Sequence, residues 1–246
     1  MAQTNGHDPE NVTPFPDPAD RKRIRAEKER AQKPPPPPRE PILNLPPATK
    51  HLSLVMILVF GAQEVISRFG PHGLFEDIIL RFGFIPARYS GHMPFIAESA
   101  IAPVAHLFLH AGWLHMLVNT FTLLAFGGGV EKMIGGRKLL LLFFLSGIGG
   151  ALAQFAWSPA LPHPLIGASG GVSGLFGAVF LLLMDKHQPS AGWRKFVPFV
   201  LIWVGISLFF GMFGKPGTDQ PVSWMTHIAG LIVGMALCRS IARYKR

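Results

Sequence analysis

The sequence contains a single cysteine, Cys238, so an internal disulfide is excluded. Charged residues are also scarce, at 15% of the chain, whereas hydrophobic residues account for 49%. No His-Glu-x-x-His motif is present, which argues against a membrane zinc protease. Asp185 and Asp219 fall at a predicted helix end and in a loop, so no pair of intramembrane catalytic aspartates is present either. The chain does not open with a charged and then an apolar segment, and we expect no cleaved signal peptide.

The positive charges indicate membrane topology better than nucleic-acid binding. The formal net charge is +9, but Lys and Arg fall in the N-terminal tail, in alternate predicted loops and at the C-terminus. A nucleic-acid-binding protein would instead cluster them on one face. Together with a positive mean hydropathy of +0.32, this distribution predicts a membrane protein that contacts lipid and has no nucleic-acid partner.

The first 50 residues have the composition of a disordered, basic and proline-rich cytoplasmic tail. They contain the charged run RKRIRAEKER, which favours a transient helix, and five consecutive prolines at residues 34–38, which favour polyproline II. The tail has too few large apolar residues to form a core. We therefore predict a tail over residues 1–50 and a membrane domain over residues 51–246.

The membrane domain is predicted to be an all-α bundle of six transmembrane helices. The apolar runs place these helices at residues 52–67, 104–127, 138–157, 169–184, 196–213 and 224–238. Between the first two, a mixed polar and apolar stretch at 74–84 predicts short amphipathic helices at the membrane interface. Lys and Arg are concentrated on the side of the tail, so both termini are expected in the cytoplasm, with the chain in a bacterial cytoplasmic membrane.

A serine and a histidine at the same depth of this bundle indicate catalysis. Ser169 opens the fourth predicted helix after Gly167, and His227 lies near the start of the sixth. A serine hydroxyl becomes a good nucleophile when an imidazole accepts its proton. Small residues on both helices allow the close approach that this requires, namely Gly167, Gly170, Gly230 and Gly234.

A further polar cluster lies at the outer end of the second predicted span. His115 and Asn119 are four residues apart, so they share a helix face and are candidates for an oxyanion hole beside Ser169. His106 and His110 have the same spacing, and we favour hydrogen bonding at a helix interface over metal binding, since no clear third ligand is found.

Ser173 offers a competing register, because Gly171-Val172-Ser173-Gly174 is a second Gly-x-Ser-Gly sequence. Ser173 would lie one turn deeper in the helix. Its backbone N–H would already be bonded within the helix, whereas the first-turn donors at Ser169 remain available to an oxyanion. We therefore favour Ser169.

Three motifs, in this order, resemble the rhomboid family of intramembrane serine proteases: HxxxHxxxxHxxxN from His106, GxSG from Gly167 and HxAGxxxG from His227. The resemblance covers roughly residues 52–243. It implies Ser169 as nucleophile, His227 as base, His115 and Asn119 as oxyanion donors, and structural roles for His106 and His110. Transmembrane proteins are the implied substrates, entering laterally and unwinding, and no cofactor is implied.

Two positions depart from the family pattern. Many rhomboids have a tyrosine four residues after the nucleophile, where its ring packs on the base, but this chain has Ser173. The Trp-Arg pair common in the first loop is also missing, since residues 70–104 contain no tryptophan. The alternative function is a non-catalytic rhomboid-like protein that binds membrane clients, although retention of both Ser169 and His227 favours an enzyme.

Overall fold

The computed structural model describes residues 17–32, 45–186, 193–213 and 223–243. The chain divides into two units, Met1–Asn44 and Leu45–Arg246. In the first unit, helix α1 spans Pro18–Gln32 and contains many strong helix formers, and its side chains from 18 to 28 are exposed. The charged run is thus helical within the tail that was predicted to be disordered. The proline run at 34–38 lies outside the described residues.

The described part of the second unit is mostly helical, with loops between the helices. Its helices are α2 (Pro47–Phe69), α3 (Leu74–Phe82), α4 (Pro86–Tyr89), α5 (Ala102–Ala105), α6 (Trp113–Thr122), α7 (Gly128–Ile134), α8 (Gly136–Trp157), α9 (Ser169–Lys186), α10 (Trp193–Phe213) and α11 (Trp224–Arg243). A π-helical turn, Leu123–Gly127, joins α6 to α7. Among the described residues there is no β-strand, and Phe84 and Leu165 form an isolated antiparallel bridge. The all-α prediction is confirmed.

Among the residues that the structure describes, three helical segments are long and apolar enough to cross a membrane: α2, the continuous segment Trp113–Ile134, and α8. Two shorter apolar stretches, Ser169–Leu183 and Val197–Ser207, lie in α9 and α10. Large hydrophobic side chains cover the outside of the bundle, including Leu114, which is 77% exposed. In an α-helix the backbone N–H and C=O groups bond to one another, so helices with an apolar exterior are stable in lipid. The chain is therefore a polytopic helical membrane protein.

The second predicted span, residues 104–127, is wrong at both ends. The long helix begins at Trp113 and continues to Ile134, while the preceding residues form α5, a 3₁₀ turn and an extended residue, Leu109. At this break the side chain of Gln63 in α2 pairs with the backbone of His110: its Oε1 accepts from the N–H at 3.1 Å, and its Nε2 donates to the carbonyl at 3.3 Å. A side chain from another helix thus bonds backbone groups that lie outside a helix.

The first span begins at Pro47 rather than at residue 52 because an acid from another helix caps it. Glu131 in α7 is buried, and its carboxylate accepts hydrogen bonds from the backbone N–H groups of Ala48 (2.9 Å) and Thr49 (2.7 Å). The Thr49 hydroxyl donates a third bond at 2.8 Å. First-turn N–H groups have no acceptor within their own helix, so Glu131 satisfies donors that would otherwise be buried without a partner.

The core lies between α2, α7, α8, α9 and α11. Met56, Leu142, Phe143 and Leu175 are fully buried in it, together with Cys238, whose thiol points to the carbonyl of Ala178 at 3.8 Å. The lone cysteine is therefore a packing residue within a helix interface.

Helices α9 and α11 pack with their backbones in contact. A methyl group on Gly230 would overlap the carbonyl group of Gly170, and one on Gly234 would overlap the backbone of Gly174. On its other side, α9 approaches α8 so closely that a methyl group on Gly171 would lie 2.7 Å from the carbonyl oxygen of Phe143. Because glycine lacks a side chain at these crossings, the separation of the helices is set by main-chain atoms.

Candidate active site

The chain enters α9 through a turn that requires glycine. Gly167 has a φ of +116°, and its N–H donates to the carbonyl of His106 at 2.8 Å. A Cβ atom at this position would lie 2.6 Å from Nε2 of His115. Both the left-handed backbone and the nearby ring therefore exclude a side chain here. The turn places Ser169 at the first residue of α9, where the first-turn N–H groups have no intrahelical acceptor.

Ser169 and His227 are brought together across the α9–α11 crossing. Oγ of Ser169 lies 2.8 Å from Nε2 of His227, and both residues are half-buried. Gly170 and Gly230 are the neighbouring residues at which the two backbones touch. A serine hydroxyl can donate to an unprotonated Nε2, so this arrangement is able to transfer the hydroxyl proton to the ring.

The competing serine is turned away from this pair. Ser173 is fully buried, and its hydroxyl donates to the backbone carbonyl of Ser169 at 2.7 Å. This bond within one helix uses the only proton of the Ser173 hydroxyl. The geometry therefore brings the imidazole to Ser169.

His115 and Asn119 lie one turn apart on α6. Nδ1 of His115 accepts from the N–H of Ala111 at 3.4 Å, so a neutral ring carries its proton on Nε2, the atom that faces Gly167. Asn119 is buried, and its amide nitrogen donates to the carbonyl of His115 at 2.8 Å. One N–H of that amide is thus bonded within the helix, and the amide has a second.

His106 and His110 bond to nearby backbone carbonyls and lie outside the long helix. Nδ1 of His106 donates to Ala102 at 2.9 Å, and Nδ1 of His110 donates to Phe108 at 3.1 Å. His106 precedes the span that starts at Trp113, and its complete burial lowers its pKa to about 4. Within the described residues, no group of three or more His, Cys, Asp or Glu is placed to hold a metal ion.

Sequence reasoning missed one side chain that contacts His227. Ser207 of α10 is 4% exposed, and its Oγ lies 3.2 Å from Nδ1 of His227. The Ser207 hydroxyl also donates to the carbonyl of Trp203 at 2.8 Å. A single serine in an apolar helix is an ordinary feature, so the only signal in the sequence was one polar residue within the apolar stretch Val197–Ser207.

Comparison with known families agrees with these motifs. The family model of the Rhomboid domain matches residues 98–244, which is more than half of the chain. The chain belongs to the rhomboid family. Membership is consistent with the membrane-spanning helices described above and accounts for the order of the three motifs.

Several rhomboid proteins are similar to this chain. Over 126 residues it is 33% identical to "Rhomboid protease GluP" of Bacillus subtilis, covering 51% of this chain and 23% of that protein. It is 34% identical over 138 residues to "Rhomboid protease GlpG" of Salmonella paratyphi A, covering 54% and 45%, respectively. For "Putative rhomboid protease YdcA" of Bacillus subtilis, identity is 26% over 134 residues, covering 54% and 63%. The chain thus spans less than two thirds of each of these relatives.

Proposed function

We propose that this rhomboid-family chain is an intramembrane serine endopeptidase that cleaves transmembrane proteins in or near their membrane span. The observation that carries the proposal is the 2.8 Å contact between Ser169 Oγ and His227 Nε2. Similar proteins that bear the name protease support it. The bundle in which the pair lies supports a substrate that is itself in the membrane.

In the proposed reaction, Nε2 of His227 accepts the hydroxyl proton as Ser169 Oγ attacks the carbonyl carbon of the scissile bond. The tetrahedral intermediate collapses with cleavage of the C–N bond, and the imidazolium returns the proton to the leaving amine. Water then attacks the acyl ester with His227 again as base, which releases the new carboxylate and regenerates the Ser169 hydroxyl. In every step of this reaction, Nε2 of His227 is the atom that accepts and returns the proton.

The anion formed during attack is proposed to be stabilised by Nε2–H of His115, the amide of Asn119 and the free N–H groups at the start of α9. Asn119 donates to the carbonyl of His115 in the resting enzyme, so its second N–H or a small rotation would serve the anion. We expect Asn119→Ala to lower kcat roughly tenfold or more, with the other donors retaining part of the activity.

The proposed topology has six spans, formed by α2, the segment Trp113–Ile134, α8, α9, α10 and α11. Lys132 is near the end of the segment Trp113–Ile134, Arg137 and Lys138 are near the start of α8, and Arg239 is near the end of α11. We assign these basic helix ends to the same side of the membrane as the basic tail. By the positive-inside rule this side is cytoplasmic, and we assign both termini to it in a bacterial cytoplasmic membrane.

Labelling of the detergent-solubilised protein with a fluorophosphonate probe tests the proposal. Wild type and Ser173→Ala should be labelled, whereas Ser169→Ala and His227→Ala should not. Cleavage of a model transmembrane substrate should follow the same pattern. A folded wild type that is neither labelled nor active would favour the non-catalytic, client-binding alternative, and labelling that survives Ser169→Ala but not Ser173→Ala would move the nucleophile to Ser173.

A further inference from the structure

We propose that Ser207 of α10 is a positioning residue that fixes the orientation and tautomer of the His227 ring, an inference that rests on the proposed function. The residue contacts the nitrogen of the ring that faces away from Ser169. The three side chains form a chain of hydrogen bonds that links three helices: Ser207 on α10, His227 on α11 and Ser169 on α9. The role is distinct from catalysis itself, because Ser207 does not touch Ser169.

The direction of the hydrogen bonds follows from counting protons. A backbone carbonyl only accepts, so the Ser207 hydroxyl donates its single proton to Trp203 at 2.8 Å. Towards His227, at 3.2 Å, Ser207 Oγ then offers only a lone pair. Nδ1 of His227 must therefore be the donor and carry the ring proton.

This tautomer is the productive one for the proposed base. In a neutral imidazole with the proton on Nδ1, Nε2 is unprotonated and is free to accept from Ser169, 2.8 Å away. The opposite tautomer would direct an N–H at Oγ of Ser169 and would leave Nδ1 facing a lone pair. Ser207 thus disfavours the inactive tautomer by electrostatic repulsion at one nitrogen.

The contact also becomes stronger during the reaction. When Nε2 takes the Ser169 proton, the ring becomes an imidazolium and its Nδ1–H becomes a charge-assisted donor to Ser207. An interaction that is stronger in the transition state than in the ground state raises kcat. The site of Ser207 is 96% shielded from solvent by the bundle, so water does not readily replace the hydroxyl.

The backbone that presents Ser207 is itself held in place. The ring of Trp203, one turn earlier in α10, stacks on Phe176 of α9 with centroids 5.0 Å apart and an angle of 26° between the planes. The same tryptophan supplies the carbonyl that takes the Ser207 proton. Packing of α10 on α9 therefore fixes the position of the Ser207 hydroxyl, which in turn holds the ring of His227.

The test uses the full-length protein in detergent with three variants. Ser207→Ala removes the acceptor, and Ser207→Thr keeps a hydroxyl that can bond to Trp203. Ser240→Ala is the matched control, because Ser240 also donates to the carbonyl four residues before it, at 3.3 Å to Ala236, but is exposed. Circular dichroism establishes that each variant is folded.

The first measurement is the tautomer of His227 by ¹⁵N NMR of histidine-labelled protein, with its signals identified by their loss in His227→Gln. We expect a protonated Nδ1 and an unprotonated Nε2 in wild type and Ser207→Thr, and a shift towards protonated Nε2 in Ser207→Ala. A wild-type ring with protonated Nε2, or a tautomer unchanged in folded Ser207→Ala, would overturn the proposal. This measurement needs no turnover, so it decides the role of Ser207 even if the proposed protease activity fails.

The second measurement is the cleavage rate of a model transmembrane substrate. Loss of one hydrogen bond to the ring should lower kcat about 3- to 10-fold in Ser207→Ala, with KM changed less than about twofold. Ser207→Thr should recover most of the rate, and Ser240→Ala should match wild type. A rate loss that Ser207→Thr does not rescue, or an equal loss in Ser240→Ala, would indicate general helix packing and would refute the positioning role.

Discussion

Replacement of Glu131 should destabilise the bundle by an amount that its hydrogen bonds determine. The carboxylate accepts three bonds at the start of α2, two from backbone N–H groups and one from the Thr49 hydroxyl. A helix cap contributes about 1 kcal/mol, and bonds to a charged acceptor contribute about 1.5–3 kcal/mol each. Because these contributions are not additive, we expect Glu131→Ala to lower the free energy of unfolding by about 3–5 kcal/mol.

Two milder variants separate the three bonds. In Glu131→Gln, one oxygen can still accept from Thr49, but the amide NH₂ then faces the N–H of Ala48, and we expect a loss of about 1–2 kcal/mol. Thr49→Val removes only the hydroxyl and should cost about 1 kcal/mol. In the double variant Glu131→Gln with Thr49→Val the losses should not be additive, since the two side chains share a bond.

The assay is unfolding of the detergent-solubilised protein by SDS titration, followed by circular dichroism. Glu76→Gln in α3 is the control, because this glutamate is exposed and its neutralisation should change stability by less than about 0.5 kcal/mol. The reasoning is refuted if Glu131→Ala unfolds at the same SDS concentration as Glu76→Gln, or if the double variant shows strictly additive losses.

Three further predictions concern glycines and a buried histidine. Gly230→Ala should push α9 away from α11, which should lower the free energy of unfolding by about 1–3 kcal/mol and the cleavage rate at least tenfold. Gly205→Ala is the control, because the space around Gly205 is open, and it should leave the cleavage rate unchanged and the stability unchanged or slightly higher. Gly167→Ala should lose more stability than Gly73→Ala, because both glycines have positive φ but only Gly167 faces a ring; equal losses would mean that backbone strain alone matters. The lowered pKa of His106 means that the unfolded chain binds a proton more readily, so stability should fall as the pH is lowered from about 6.5 to about 4, and thermal melts of His106→Asn should lack this part of the pH dependence.

The starts of α9 and α11 and the end of α8 could be predicted to the residue, because turns rich in glycine or proline interrupt strongly apolar runs there. The start of α2 at Pro47 could not. Its cap is Glu131, which is more than 80 residues away in sequence, and no local pattern identifies a partner at that distance. Nonlocal hydrogen bonds of this kind leave no periodic signal.

The break before Trp113 was missed for a related reason. Hydropathy runs continuously through residues 104–112, but the backbone there turns through a 3₁₀ segment and bonds to the Gln63 side chain of α2. The prediction that Ser169 and His227 approach each other rested partly on glycines that permit close helix packing, because Gly170 follows the serine and Gly230 lies three residues after the histidine. The contact with Ser207 depends on how α10 rotates about its axis, and an apolar helix surrounded by apolar neighbours carries little information about that rotation.

Because α8 and α9 differ in length, the thickness of the bilayer should affect how deep Ser169 lies below the membrane surface. At 1.5 Å per residue, the 22 residues of α8 extend about 33 Å, while the 18 residues of α9 extend only about 27 Å. Gly170 of α9 packs against Gly147, ten residues before the end of α8, so the start of α9 lies roughly 14 Å below that end. A hydrocarbon layer of about 30 Å matches the longer helix and leaves the shorter one recessed. Bilayer thickness should therefore affect the proposed reaction, because lipids with shorter acyl chains bring the interfacial water nearer to Ser169.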